Sequence, residues 1–593
     1  MKNKFLNKKL IICFFALIVI SIVSCKKYLE VTPVSYFSPE LTFDNPTNAL
    51  KAIYGTYATL TGDNGYGIRL SMYYTLDDDI MMGQGGTPYP DGERRDIAHY
   101  NVTPSNTQLA APFNQLYLGI ERANLCIYYI PKMAQYESGS TQEKKDLRRM
   151  HGEALTLRAL LATELIRNWG DLPIQFEPSF TQTNLYQAKA DRDSIYDRLI
   201  ADLATAENLV PWRTEVTRDE RITQGAVRGL RARIALYRGG YSLRKNRQMV
   251  RGSNFLTYYQ IAKDECKAIM DRPQDHKLNP SFQAVWKDNI CANQIEPNGE
   301  VIFEVAMAGG NSATGDSKLG YYNGPRYNSV GNGALTILPT YFYMFDSTDN
   351  RRDVICAPYN INVGNTYTGR SGATIVDGKF RRDWIVPGVL TSAAQYFGVN
   401  WPILRFSDVL LMYAEADNEI NQGPTAAAKL AYETVRKRSY PANDPFIGIT
   451  PTTYSTFFDA IVKERALELG GEGIRKYDLI RWNLLNTKIN EVKTLLPLLA
   501  TRTGLPWSGY PSNMYYNKLV TTGLVWAGSY YKPSVTPTPS TATFTSVSWL
   551  GSAITTTITP YYAISFQTGK SELLPIPQSA RDANPALTQD YGY

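Results

Sequence analysis

The sequence is short of the residues on which hydrolysis and metal chemistry most often depend. It holds three histidines, His99, His151 and His276, with no H-E-x-x-H arrangement and no G-x-S-x-G run. A zinc site or a histidine-based triad therefore has little to draw on. Cysteine is scarce too. Beyond residue 25 only Cys126, Cys266, Cys291 and Cys356 occur, too widely spaced to form a disulfide framework. Cys126 in "NLCIYYI" and Cys266 in "KDECKAIM" read as small buried side chains. No apolar run after residue 24 reaches the roughly 20 residues of a membrane-spanning helix. Strong charge of one sign is missing as well. Lys and Arg number 62 against 55 Asp and Glu, a net +7. Four of the lysines fall in residues 1–24, and without that segment the balance is 58 to 55, or +3. Nothing forms the basic stripe that phosphate backbones demand, which excludes nucleic acid as a partner.

What is present begins with an export signal. Lys2, Lys4, Lys8 and Lys9 form a positive start, and Leu10 to Val23 is an apolar stretch too short to span a bilayer. The end of that stretch, Ile22-Val23-Ser24-Cys25, resembles the lipobox of bacterial lipoproteins. In such proteins residues up to the cysteine are removed and the cysteine is lipidated. Cys25 is thus expected to carry a diacylglyceryl group and an N-acyl chain, and more than one chain is needed for firm anchoring. Its role is a tether.

Tyrosine is the abundant aromatic, with 41 Tyr against 21 Phe and 9 Trp. Tyrosine suits surfaces that are apolar on one side and wet on the other, such as a binding face for a polar ligand with flat apolar sides. Most of so many must still be core and rim.

Helical periodicity dominates the middle of the chain. In "EKKDLRRMHGEALTLRALLATELIRNWG" (143–170), Leu147, Met150, Ala154, Leu157, Leu161 and Leu165 recur at three- and four-residue steps, and Gly170 ends the run. Similar patterns cover 192–210, 222–240 and 258–271, starting roughly 30 to 36 residues apart, the period of tetratricopeptide helix pairs. Ala226, Gly229 and Ala232 would let a neighbouring helix approach closely. Downstream, 404–420 reads as a buried helix and 457–485 as two helices broken at Gly470-Gly471. Residues 281–400 and 500–570 are rich in Gly, Asn, Thr, Ser, Tyr and Pro, the composition of loops and short strands. Binding residues concentrate on loops held by a rigid scaffold.

Several stretches together resemble the SusD/RagB nutrient-binding outer-membrane lipoproteins. They are "CKKYLEVTP", "NALKAIYGTYATL", "ALTLRALLATELIRNWGDLPI", "DSTDNRRD", "WPILRFSDVLLMYAEADNEI", "IVKERALELGGEGIRKYDLIRWN" and the ending "ELLPIPQSARDANPALTQDYGY". The resemblance runs from Cys25 to Tyr593, and the terminal "QDYGY" departs slightly from the family's form. It implies a mainly α fold, a tetratricopeptide-like helical scaffold packed against an irregular loop-rich subdomain with short strands. After the leader, 1–24, a single domain over 25–593 is expected. Its scaffold lies mainly in 40–275 and 400–490, its loops mainly in 281–400 and 500–570. The resemblance also implies a non-catalytic surface lid on the outer membrane. Such a lid captures oligosaccharides, or peptides in some members, for a SusC-like TonB-dependent transporter.

Beside that resemblance, the residues themselves offer few catalytic arrangements. Asp408 and Glu415 share a helix face and could serve as the acid and base of a glycoside hydrolase. With Arg405 one turn from Asp408, and Arg465, Arg475 and Arg481 in the next block, ion pairs locking helix to helix are the better reading. No catalytic residue, cofactor or metal is assigned. "LDDDI" (76–80) lacks the ligand spacing of an EF-hand and reads as a loop or helix cap, with calcium left open. "GQGG" (83–86), "GNG" (331–333) and "GGEG" (470–473) fit no phosphate fingerprint.

Two stretches are candidates for ligand contact. In 66–96, Tyr73, Tyr74, Asp77 and Tyr89 stand with Arg94 and Arg95. In "GYYNGPRYN" (320–328), Tyr321, Tyr322, Asn323 and Tyr327 stand with Arg326. Sugars offer C–H faces to aromatic rings and hydroxyls to Asp, Asn and Arg. The competing reading is that these tyrosines only pack their own loops.

Overall fold

The computed structural model describes residues 39–84, 93–217, 219–328 and 330–593, so the candidates Cys25 and Tyr89 lie outside the described residues. The long helices are α1 (Pro46–Tyr57), α2 (Thr107–Tyr129), α3 (Thr141–Trp169), α4 (Arg192–Ala206), α5 (Gln224–Gly239) and α6 (Phe255–Met270) in the first half. In the second they are α7 (Phe406–Asn421), α8 (Ala426–Arg438), α9 (Tyr454–Leu469), α10 (Arg475–Arg481) and α11 (Leu485–Thr501). Sequential helices pack as neighbours from α2 to α8, with α1 on α2 and α3, and α9 on α7. This is the helix-on-helix stacking of a tetratricopeptide-like scaffold.

The local reasons are visible in α3. Ser140 and Glu143 form a reciprocal capping box, the Glu143 N–H donating to Ser140 Oγ at 3.3 Å and the Ser140 N–H to Glu143 Oε2 at 2.8 Å. The stripe Leu147, Met150, Ala154, Leu157, Leu161 and Leu165 is buried throughout, at roughly 1.5–3 kcal/mol for each large apolar side chain. Gly170 then takes a positive φ of 81° and stops the helix. The break expected inside 457–485 falls between α9 and α10. A Cβ on Gly470 would lie 2.1 Å from the Tyr341 hydroxyl, and Gly471 has φ +82°.

Two expectations are corrected. The pattern over 404–420 starts as strand Trp401–Arg405, antiparallel to Val301–Val305, and only Phe406 begins α7. The second concerns one of the small residues of α5, Gly229. A Cβ on Gly229 would fall 2.1 Å from Leu404 Cδ2, so the close approach there is to a strand and not to a helix.

Residues 281–400, with Met81–Met82 added at one edge, and 500–570 hold small sheets. Strands Met81–Met82, Thr336–Ile337, Val376–Asp377 and Cys356–Ala357 form one in that order; Trp526–Ala527, Asn513–Asn517 and Phe544–Ser548 form another. The chain end closes back on the scaffold. Trp169 Nε1 donates to the Pro575 carbonyl at 3.0 Å, and Arg192 donates to the Tyr591 hydroxyl at 2.6 Å. Cys126, Cys266, Cys291 and Cys356 are all buried and unpaired. Among the described residues no helix is long and apolar enough to cross a membrane.

Buried ion pairs knit these parts together. Arg405 contacts Glu300 at 2.7 Å, Glu468 at 2.9 Å and Glu472 at 2.8 Å, all nearly solvent-free. Arg438 joins Glu300 at 2.7 Å, and Arg351 joins Asp349 at 2.7 Å and Glu464 at 2.6 Å. Arg475 grips Asp79 through two bonds of 2.7 and 2.6 Å, tying α10 to the loop 76–80.

Candidate functional site

The possible hydrolase pair is inert by geometry. Asp408 is held by Arg465 at 2.6 Å and by Arg233; Glu415 is held by Arg481, and Trp482 Nε1 donates to it at 2.8 Å. Burial pushes the Asp408 pKa up, but the two guanidiniums outweigh it and bring it down to about 2. Both carboxyls are thus occupied by guanidiniums. Of the arginines expected to take part, Arg465 and Arg481 do so. Arg405 and Arg475 pair elsewhere, as described above.

The loop 76–80 is a knot of structural carboxylates. Asp77 adopts φ +54°. One of its oxygens accepts the Gly83 N–H at 2.8 Å; the other meets His99 Nδ1 at 2.7 Å and accepts the Ala563 N–H at 2.7 Å. Asp78 Oδ1 accepts the N–H groups of Ile80 and Met81, both at 3.0 Å. Burial, then the Asp79 charge, raise the Asp78 pKa to about 7. Among the described residues no group of three His, Cys, Asp or Glu is arranged to hold a metal ion.

Of the candidate ligand residues, Tyr73, Tyr74, Asp77, Tyr322 and Asn323 are buried and Tyr321 and Tyr327 half-buried, and three of them are spent on bonds away from the tyrosine pair. Asp77 is spent on the bonds just given. The Tyr74 hydroxyl donates to the Gln108 carbonyl at 2.9 Å, with its ring edge-on to Trp169. Asn323 Nδ2 donates to Asp377 at 2.8 Å from a buried position. Tyr327 is half-buried and pairs by backbone with Val330 and Ile361, apart from the contacts that join the remaining tyrosines.

Tyr73 and Tyr322 come together. Tyr73 ends a π-helical turn, Arg69–Tyr73, a wide turn that separates its direction from that of Tyr74. Its ring meets Tyr322 edge-on at 6.4 Å, and Tyr322 meets Tyr321 at 5.2 Å. Arg94, on the short helix Glu93–Ala98, donates to both hydroxyls, at 3.2 Å to Tyr73 and 3.0 Å to Tyr322. It is Arg94 that spans them; Arg95 is the next residue on the same short helix. Burial, then the neighbouring Tyr322 hydroxyl, hold the Tyr73 phenol well above its ordinary pKa, so it stays a neutral donor.

Sequence reasoning missed the other wall. The Tyr396 hydroxyl donates to Asp63 at 2.9 Å, and the Lys318 ammonium lies 4.8 Å from the Tyr396 ring centre and 3.6 Å from Asp63. Arg69 donates to the Asp63 carbonyl at 2.6 Å and to Gln108 Oε1 at 2.8 Å. Arg69 lies inside the stretch singled out, and Lys318 two residues before the other. Tyr396 has no signal in sequence, being 333 positions from its partner. The result is a cluster of tyrosines with their rings in the loops and their rims lined by Arg69, Arg94, Lys318 and Asp63.

The remaining tyrosines are largely packing. Tyr343 stacks on Tyr510 at 4.5 Å, and Tyr530 lies 4.8 Å from Trp549, filling the base of the 500–550 loops.

Comparison with known proteins bears on this arrangement. A family model described as "SusD family" matches residues 299–593, and one described as "Starch-binding associating with outer membrane" matches 88–236. The chain is 24% identical over 507 residues to SusD-like protein P38 of Formosa agariphila, covering 80% of this chain and 92% of that one. It is 24% identical over 499 residues to SusD-like protein P2 of the same organism, covering 80% and 90%. Among solved structures, a SusD homolog from Bacteroides thetaiotaomicron superposes with a TM-score of 0.73 at 22% identity, over 94% of this chain and 98% of that one. Surface glycan-binding protein A of the same organism, solved with laminarihexaose, gives a TM-score of 0.62 at 17% identity, over 92% and 99%. The helical stack, the loop-rich half set against it and both family matches agree: this chain belongs to the SusD/RagB family.

Proposed function

We propose that this protein is a lipid-anchored, non-catalytic outer-membrane lipoprotein that binds an oligosaccharide and passes it to a SusC-like TonB-dependent transporter. The observation that carries the reading is the tyrosine cluster on the loops, Tyr73, Tyr321, Tyr322 and Tyr396, with Arg94 donating to two of its hydroxyls. Rings with polar rims suit the C–H faces and hydroxyls of sugars. Tyr327 flanks this set in sequence, while Tyr74, Asp77 and Asn323 serve it as the rigid backing of the loops. The glycan-bound relative of like fold and the starch-binding description of the matched family support the ligand class. The ion-paired state of Asp408 and Glu415 supports a role without hydrolysis.

Isothermal titration with a panel of oligosaccharides tests the binding reading. Saturable binding, weakened by Tyr322→Ala, is the expected result; binding only of peptides, or release of smaller sugars, would overturn it. The anchor is tested by Cys25→Ser, which should abolish fatty-acid labelling and release the protein from the membrane fraction. The transporter is tested by gentle detergent extraction: a TonB-dependent barrel should co-purify, and unaltered nutrient uptake after deletion would remove the case for a lid.

A further inference from the structure

Among the described residues every buried arginine of the helical scaffold is ion-paired. Arg149, Arg158, Arg192, Arg233, Arg238, Arg405, Arg465, Arg475 and Arg481 all reach an Asp or Glu. This is the ordinary rule, since an isolated cation is costly to remove from water. In the loops the rule does not hold: Arg381 and Arg382 are buried without a carboxylate partner, and beside the tyrosine cluster half-buried Arg69 and exposed Arg94 lack one as well.

Arg94 donates to two phenols and lies 5.9 Å from the Tyr73 ring centre. Arg69 donates to a carbonyl and an amide oxygen, and its Nε is buried without a partner. Arg382, fully buried, donates to the Ser392 carbonyl at 2.9 Å and lies over the Phe397 ring, while its Nε and Nη1 have no partner. None of the three forms an ion pair with a carboxylate of the described residues. Their positions are contiguous. Arg69 and Tyr322 both act on Tyr396, Arg94 bonds Tyr322, and Arg382 lies beside Tyr321.

Three acids nearby are already engaged. Asp63 takes the Tyr396 hydroxyl and faces Lys318. Asp316 accepts backbone N–H groups from Asn311, Ser317 and Gly398. Glu93, on the outer turn, accepts from Thr107. Among the described residues the tyrosine cluster is thus bordered by cations without a paired carboxylate, and a surface of one sign concentrates ions of the other.

We infer that the ligand of this site is an anionic glycan, an oligosaccharide bearing carboxylate or sulfate groups, and that Arg94 is the residue that contacts the charge directly. The inference rests on the glycan-binding reading above and adds its charge class. Arg94 is the exposed member of the three, and its planar fork can hold a phenol on one edge and an oxyanion on another. Arg69 and Arg382, set back, contribute field.

The test is titration of the lipid-free protein with oligogalacturonate, a sulfated carrageenan oligosaccharide and neutral maltohexaose, at about 0.02 M and about 0.3 M salt, across which the screening length shortens severalfold. One or both anionic ligands should bind about tenfold or more tighter than the neutral one at low salt, with the advantage shrinking at high salt. The carboxylate and sulfate arms say which group is recognised. Arg94→Gln should cost the anionic ligand about tenfold, the scale of one charge-assisted pair, with Arg94→Lys falling between, while thermal stability stays unchanged. Equal or tighter binding of maltohexaose, or affinity for the anions independent of salt and of Arg94→Gln, would overturn the charge assignment and leave glycan binding standing. Failure of all three sugars alongside capture of peptides would overturn both.

Discussion

The α7–α9 region and the loops around Tyr322 use the same side chain in opposite ways. In the first, Arg405 and Arg438 sit among Glu300, Glu468 and Glu472, and each guanidinium meets carboxylates within hydrogen-bond reach. In the second, Arg94 and Arg382 meet phenols, carbonyls and rings. Where the charge is matched internally, arginine is a clamp between helices and strands. Where it is left unmatched beside the tyrosines, its charge acts outward, directly from exposed Arg94 and as a field from buried Arg382. The difference lies in the counter-ion, and burial alone does not reveal it, since Arg382 is as buried as Arg405.

The comparison can be broken most forcefully on the scaffold side. Arg405→Ala would leave Glu300 and Glu468 to Arg438 and Arg351, and Glu472 to Lys379 alone, one cation short in a solvent-free site, a loss of about 3 kcal/mol. A large fall in melting temperature or failure to fold is expected; a small change would mean the network is not what joins the strand to α9.

Acid should dissolve the same region next. Asp408 has its pKa lowered to about 2, so its stabilisation is present above the unfolded value of about 4 and is lost as pH falls toward 2, on the order of 2 kcal/mol. Glu468, buried but surrounded by Arg438, Arg405 and Arg351, is shifted in the same direction. Melting temperature should drop steeply over that window, and Asp408→Asn, already weakened at neutral pH, should show a shallower drop. Parallel pH profiles would refute the assignment.

A carboxyl near the loops has the opposite sign. Burial, and the neighbouring Glu220 charge against a hydrogen bond from Asn400, raise the Glu304 pKa to about 7. The folded protein then holds a proton between about pH 4 and 7 that the unfolded chain releases, so stability declines as pH rises through that interval. Glu304→Gln should therefore stabilise the protein at pH 8 by about 1 kcal/mol and make little difference below pH 4. Equal effects at both pH values would count against the shift.

The smallest expected effect on stability sharpens the contrast. Arg94→Gln should change unfolding by no more than about 0.5 kcal/mol, as surface substitutions usually do, while weakening ligand binding. A melting temperature lowered as far as in Arg405→Ala would place Arg94 among the clamps.

Much of this architecture was legible in the chain because it is local. The stripe from Leu147 to Leu165, the capping pair Ser140 and Glu143 and the stop at Gly170 are encoded within a few turns. So is the break at Gly470-Gly471. The shared face of Asp408 and Glu415 announced partners, and Arg465 and Arg481 lay close enough in sequence to be named. The site was legible only in part. Tyr73, Tyr321 and Tyr322 are marked by their tyrosine-rich loop stretches, but nothing in the pattern tells Tyr73 from Tyr74. One meets Arg94, the other turns to Gln108, and the π-helical turn that parts them depends on what packs around it.

By itself, then, the sequence determined the helical runs from 143 to 271, the break at Gly470-Gly471 and the family that the motif order resembles, because periodicity, caps and motifs act over short spans. Tertiary structure alone decided which charges are spent and which are free. Arg405 finds Glu300 across 105 positions, Arg475 finds Asp79 across 396, and Tyr396 finds Asp63 across 333. Ion pairing and desolvation depend on distances of a few ångströms in space, and separation along the chain carries no record of them.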